Sequence, residues 1–582
     1  MYTFQHMTTE DISLPFKCIF NILCEFMDNV FSCLFNSRKE EKMLFEERIN
    51  FALTENGAGA YETSGHSLLD LNFRIPSFRT MSYEDIVEKI TKCLFFDEKL
   101  TIKWLFYVRD VREGLGERRT FNVMMNALAS IKPELVSKVI ELIPEYGRWD
   151  DVLAFMGTPL EEQVIDMIRR QLDSDTKNMN AGKPVSLCAK WMASTNASSK
   201  PVRKVGSKIA LKLNRKRPYE EYEPAFKALS EWSKHGKLPN ENDYQLISEI
   251  FAAQKSYRKT LSDLRSYLDV VEVKMSAGKW NEIKYESVPS LANIRYKNAF
   301  MLHDQERRSD YLDSLSRGEA KINAGVLYPH DIVCKYLSHS RFSICPCGDY
   351  DETLESLWKS LPDKNLNGNV LVIRDGSSSM ACESAGDGTI ADIADALSIY
   401  FSERMVGPFK NKFITFSANP EWVDLSNCNS LYQKLEELQT HNDWSNTNIE
   451  AVFDMILDAA ILFHADQEDL PSTILIVSDM QFDVCVNNRN GQHASPYLFE
   501  SLKKRYEINE YKMPKLVFWN VSGKSTPIPV IENECGVALI SGYSINNVDM
   551  IMSNKTDPYE CLLEKINSER YKPIEDALGG VS

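Results

Sequence analysis

The stretch Asn369-Val-Leu-Val-Ile-Arg-Asp375-Gly-Ser377-Ser-Ser379-Met380 decides how the chain is read. Val370 to Ile373 is aliphatic throughout, as a strand buried on both faces of a parallel sheet should be. Gly376 lets the backbone turn sharply at the carboxyl end of that strand, which is where open α/β sheets hold ligands. Asp375, Ser377 and Ser379 then present hard oxygens at alternate positions of one loop. Such a donor set suits a small cation that keeps near-octahedral geometry and several waters, Mg2+ or Mn2+.

The D-x-S-x-S pattern resembles the metal-ion-dependent adhesion site of von Willebrand A domains. That site takes two further ligands, a threonine before a helix and an aspartate after a strand. Thr447 stands just before the helical pattern Ile449, Val452, Phe453, Ile456, Leu457, and Ser472 to Asp479 is a second apolar run ending in a carboxylate. The resemblance implies that Asp375, Ser377, Ser379, Thr447 and Asp479 bind the metal, and that a protein partner offers an acidic side chain to it. For D-x-S-x-S alone, a capped serine-rich turn is the competing reading.

Around this stretch, apolar strands at Val370 to Ile373, Lys412 to Phe416, Thr473 to Val477, Lys515 to Val521 and Val537 to Ile540 alternate with helical patterns. Alternation of this kind predicts a doubly wound, mostly parallel sheet, with Glu421 to Leu425 as a hairpin edge strand. Before it, Glu84 to Phe95, Thr120 to Ala129, Pro133 to Ile143, Glu161 to Leu172 and Tyr244 to Ala253 repeat apolar residues at three and four. An all-α, HEAT-like stack gives that texture. The 582 residues exceed what one core usually holds. Three segments are expected: a helical extension over 1–44, an all-α domain over 45–362 and an α/β domain over 363–582.

Thirteen cysteines without a repeating spacing fit reduced thiols of an intracellular, cytoplasmic protein better than a disulfide framework. Leu14 to Phe35 is apolar, but Lys17, Glu25 and Asp28 interrupt it, so a docked helix is favoured over a membrane span. His330, Cys334, His339, Cys345 and Cys347 lack the spacing of a zinc site.

Net charge is −16, yet eleven Lys and Arg and no acid lie between Lys177 and Tyr219. A basic stripe on an acidic chain is an electrostatic footprint for a polyanion. Lys190, Lys200, Arg203, Lys204, Lys208, Lys212, Arg215, Lys216 and Arg217 are the candidate RNA contacts, with Arg109, Arg112 and Arg118 on the same surface. Pairing of the stripe with acids elsewhere on the chain is the alternative.

The strings Glu55-Asn-Gly-Ala, Arg112-Glu-Gly-Leu-Gly-Glu-Arg118, Tyr146-Gly-Arg-Trp-Asp-Asp151, Lys190-Trp191, Trp280-Asn-Glu-Ile-Lys-Tyr285 and Val288-Pro-Ser290 resemble a family of plants, fungi and giant viruses known only as a domain of unknown function. That family is similar in layout to the Ro-type (TROVE) RNA-binding proteins, in which a ring of HEAT-like repeats closes on a von Willebrand A domain. The resemblance implies a helical ring and RNA binding, and supplies no activity.

Enzymatic readings lack their residues. A haloacid-dehalogenase-type phosphatase needs a second carboxylate two positions after the first, where this chain has Ser377. No G-x-S-x-G elbow and no phosphate loop is present. The chain is therefore expected to be a non-enzymatic scaffold for RNA, with a protein-interaction module that binds no nucleic acid as the alternative and a metal-dependent hydrolase a distant third.

Overall fold

The computed structural model describes residues 50–337, 350–364, 369–416, 418–441, 444–445, 447–483, 498–524, 526–531 and 535–579. Leu14 to Phe35, with the expected extension over 1–44, and His339, Cys345 and Cys347 lie outside the described residues.

Two compact units form, one from residues 108–112, 116–323 and the C-terminal tail, the other from residues up to 107, 113–115 and 324–572. The first is all-α. Its main helices are Arg118–Ile131, Glu161–Asn180, Lys200–Asn214, Glu241–Tyr267, Ser290–His303 and Gln305–Ser316. Helix Glu241–Tyr267 buries Ile247, Ile250, Ala253, Tyr257, Leu261 and Leu264, three or four apart, against the helices at Lys200–Asn214 and Glu161–Asn180. That spacing is the periodicity the sequence showed.

The second unit is built on a six-stranded sheet. Its strands are β1 (Val370–Asp375), β2 (Lys412–Phe416), β3 (Glu421–Asp424), β4 (Thr473–Ser478), β5 (Lys515–Asn520) and β6 (Val537–Ser541). They lie in the order β6-β5-β4-β1-β2-β3, parallel except for the edge strand β3. All six residues of β1 are buried, as a central strand covered on both faces requires. Its one internal charge, Arg374, is neutralised where it lies: Nε donates to Asp395 Oδ1 at 2.8 Å and Nη1 to Thr415 Oγ1 at 3.1 Å. After β1 the chain moves to β2 on one side, and β4 to β6 extend the sheet on the other. The switch in direction falls between β1 and β4, which opens a crevice at their carboxyl ends.

The compact units do not follow the sequential boundary near residue 362. Residues 50–107 pack with the α/β unit. Helix Ser67–Phe73 buries Leu68, Leu69, Leu71 and Phe73 there, and Asn520 Nδ2 at the end of β5 donates to Phe73 O at 2.8 Å. Amphipathic spacing shows that a helix has a buried face; it carries no information on which core that face joins.

His330 and Cys334 take no part in a metal cluster; none of His, Cys, Asp and Glu forms among the described residues. The His330 ring stacks on Tyr328 and meets the edge of Tyr543, and burial, with the Arg79 charge, pushes its pKa down to about 3. No helix among the described residues is long and apolar enough to cross a membrane.

Candidate cation site and basic face

Asp375 ends β1, and the chain must then leave the sheet beside β2. Gly376 N donates to Phe416 O at 2.7 Å, and a Cβ at this position would lie 2.9 Å from Thr415 Oγ1 and 3.1 Å from Phe416 O. Only glycine fits so close an approach. The loop then folds back on its own carboxylate: Ser377 N donates to Asp375 Oδ1 at 2.9 Å, and Ser377 Oγ lies 3.0 Å from Ser379 Oγ.

From the neighbouring strand, Ser478 Oγ donates to Asp375 Oδ2 at 2.6 Å. Asp479 follows directly, accepting from Gln481 N at 3.0 Å, and the nearby Ser379 hydroxyl favours its ionised form. Asp375, Ser377, Thr447 and Asp479 are each 2% exposed or less. Burial raises the pKa of Asp375, and the Asp479 charge raises it further; burial likewise raises that of Asp479. Two carboxylates close together out of water resist ionising together unless a cation joins them.

Thr447 reaches the cluster differently. Its backbone is pinned by an exchange with Asp483, Thr447 N to Asp483 Oδ2 at 3.0 Å and Asp483 N to Thr447 O at 3.1 Å. Its hydroxyl accepts from Asn56 Nδ2 at 3.3 Å, and the same amide donates to Gln481 O at 2.6 Å. Asp375, Ser377, Ser379 and Asp479 thus form one connected cluster, with Thr447 at its rim through Asn56.

Glu55 to Ala58, a string singled out in the sequence without a role, and Thr54 before it lie against the loop that follows Asp479. Thr54 Oγ1 donates to Phe482 O at 2.6 Å, Glu55 N to Gln481 Oε1 at 2.6 Å, and Gly57 forms a β-bridge with Asp483. Lys524 Nζ bonds Glu55 Oε2 at 3.1 Å. Glu383, whose pKa is raised by burial and then by the Asp479 charge, accepts from Ser522 Oγ at 3.0 Å. Gln481, Asp483 and Lys524 were not legible as site residues, because each enters from a loop with no motif of its own; Glu55 and Asn56 stood in a quoted string to which the sequence attached no role.

The basic stripe is reorganised by the fold. Lys208 and Lys212 pair with Glu161 at 2.6 and 2.8 Å, Arg215 pairs with Asp166, and Arg217 pairs with Glu249 at 2.9 Å. Their charge is spent largely within the chain. Arg203 Nη1 donates to the carbonyls of Ala197 and Ser198. Lys190 Nζ stands 5.4 Å over the Trp191 ring. Among the described residues Lys200 and Lys204 make no ion pair, and Lys216, also exposed, lies in reach of the Glu249 charge.

Arg109, expected on the same surface, is 2% exposed and belongs to the interior. Its guanidinium grips Asp151 through Nε at 2.8 Å and Nη2 at 2.6 Å. Arg118 Nε and Arg148 N bond the same carboxylate at 2.6 and 2.8 Å. Burial alone would raise the pKa of Asp151; Arg109 and the bonds from Arg118 and Arg148 outweigh it and hold the carboxyl below its ordinary range. A Cβ on Gly147 would sit 2.5 Å from Asp151 Oδ2, which explains the glycine in Tyr146-Gly-Arg-Trp-Asp-Asp151. Arg112 Nη1 donates to Glu145 O at 2.9 Å. Arg112 and Arg118 therefore also have structural work inside the helical unit.

Comparison with known proteins adds two family models, each described as a domain of unknown function: DUF2828 over residues 158–365 and DUF7788 over residues 369–575. Each match is a likeness of its own stretch, and neither spans half of the chain. Uncharacterized protein L728 of Acanthamoeba polyphaga mimivirus is 28% identical over 565 residues, 90% of this chain and 89% of that protein. Among solved structures, the Ro (RSR) protein of Deinococcus radiodurans matches with a TM-score of 0.39 and 12% identity, covering 89% of this chain and 100% of that one. A likeness so distant carries no functional detail.

Proposed function

We propose that this protein is a non-enzymatic binding scaffold whose α/β unit captures an acidic group of a protein partner through Mg2+ or Mn2+. The observation that carries the reading is the connected cluster of Asp375, Ser377, Ser379 and Asp479 at the switch between β1 and β4. The donor set fits such an ion: every donor is a hard oxygen, and the two buried carboxylates would gain from a divalent charge between them. When bound, the cation would neutralise that charge and attract a carboxylate from a partner. Asp375 and Asp479 would hold it, Ser377 and Ser379 would orient it, and Thr447 would close the set from the rim. Ser377, standing where a phosphatase would carry its second carboxylate, supports binding rather than hydrolysis.

Titration calorimetry with Mn2+ tests this directly. The wild-type chain should bind one ion and Asp375→Ala should bind none; an unchanged isotherm in the variant removes the site.

A second reading, RNA binding by the helical unit, rests on Lys200, Arg203 and Lys204, exposed on the first turns of helix Lys200–Asn214. It is narrower than the stripe suggested, because four of the cations on that face are already paired with acids.

A further inference from the structure

We propose that Glu55 is an internal ligand for this cation, occupying in cis the coordination position that an acidic partner must take. The inference rests on the cation reading above and concerns how that site is regulated.

Contacts from four successive residues seat the 54–58 turn on the loops that carry the donors. Thr54 binds Phe482 O, Glu55 N binds the Gln481 side chain, Asn56 binds both Thr447 Oγ1 and Gln481 O, and Gly57 bridges to Asp483. The backbone of Glu55 is therefore fixed to a residue two positions beyond Asp479. Its side chain is not buried: it is 58% exposed and held by Lys524. Glu55 and Lys524 both lie close enough to act electrostatically on Asp479, and Lys524 acts on Glu383 as well.

Lys524 is thus a cation resident beside the acids, and Glu55 is bound to it. A divalent ion between Asp375 and Asp479 competes with Lys524 for Glu55. It carries twice the charge and accepts carboxylate oxygen directly, and the exposed Glu55 side chain is free to turn from one cation to the other. With its amide already tethered at Gln481, Glu55 has little freedom left to lose in binding, which favours it over a free carboxylate. A partner's acid must then displace a tethered rival, which sets a threshold on capture.

Water-proton relaxation of bound Mn2+ counts the waters in its inner shell and supplies the test. Glu55→Gln, a near-isosteric change at an exposed position, should retain Mn2+ binding but weaken it several-fold. Bound Mn2+ should relax water more strongly than in the wild type, by the contribution of about one added water. Lys524→Ala, which removes the competitor, should strengthen Mn2+ binding while leaving relaxation per bound ion unchanged. Equal relaxation in wild type and Glu55→Gln, with binding still abolished by Asp375→Ala, overturns the internal ligand and leaves the cation site standing. Absence of Mn2+ binding in the wild type overturns both.

Discussion

Asn56 donates its side-chain amide to Thr447 Oγ1 at 3.3 Å across 391 positions of the chain. The same amide reaches Gln481 O at 2.6 Å, so one side chain ties the 54–58 turn to two loops of the candidate site. Asn56→Ala should release that turn without unfolding the unit. Losing these bonds, at about 0.5–1.5 kcal/mol each, predicts amide hydrogen exchange of residues 54–58 faster by about tenfold, with the melting temperature nearly unchanged. Exchange unaltered in the variant would show that Thr54, the Glu55 amide and Gly57 suffice to hold the turn.

Asp151 gathers Arg109, Arg118 and the Arg148 amide in the interior of the helical unit. Asp151→Asn leaves the Arg109 charge buried with only a neutral partner. A loss of about 3–5 kcal/mol in that unit's stability is expected from breaking a buried pair from one side. Urea unfolding followed by helical circular dichroism measures it. Arg112→Ala, which removes one exposed bond to a carbonyl, should cost about 1 kcal/mol at most.

His330 makes acid stability a readable property. Its pKa is pushed down to about 3 in the fold against an ordinary value of 6.5, so the unfolded chain binds its proton first as pH falls. Stability contributed by the neutral ring is full above 6.5 and is lost progressively down to about 3, at up to about 1.4 kcal/mol per pH unit. Asp331 acts in the opposite sense. Burial raises its pKa from 3.8 to about 6, so its contribution falls as pH rises through that window. Between those two values the slopes oppose one another, and His330→Gln isolates the histidine. Chemical denaturation at stepped pH should show wild type losing stability on acidification faster than the variant.

RNA binding, where it occurs, should have a shallow salt dependence. With Lys200, Arg203 and Lys204 as the open cations, the slope of log affinity against log salt for a single strand should be about −2. Lys200→Glu with Lys204→Glu should flatten it, whereas Asp375→Ala should leave it unchanged. Filter binding at low salt checks this, and no retention of RNA there would return the helical unit to protein partners alone.

Phosphate-ester, nucleotide and peptide substrates should not be turned over by the purified chain with Mg2+ or Mn2+ present. Ser377 in place of a second carboxylate leaves Asp375 no acid partner on its own loop. Turnover lost in Asp375→Asn would make the site catalytic.

What the sequence determined by itself was local. Val370 to Ile373 and Ile474 to Val477 are unbroken apolar runs followed within two residues by a carboxylate, and such runs have few fates other than central parallel strands. The order of strands and helices followed, and with it the crevice in which Asp375, Ser377, Ser379 and Asp479 meet. Tertiary structure decided what depends on partners far along the chain. Lys208 and Lys212 read as open cations because their partners Glu161 and Glu162 stand 47 and 50 positions away in the chain and only one helix away in space. Arg109 read as a surface residue because nothing adjacent reveals Asp151. Glu55 and Asn56 carried a resemblance but no role, because their contacts lie at Thr447 and Gln481. Periodicity reports which face of an element is buried; which charge it is buried against is fixed only when distant elements pack, since a Coulomb pair depends on separation in space and leaves no pattern in the chain.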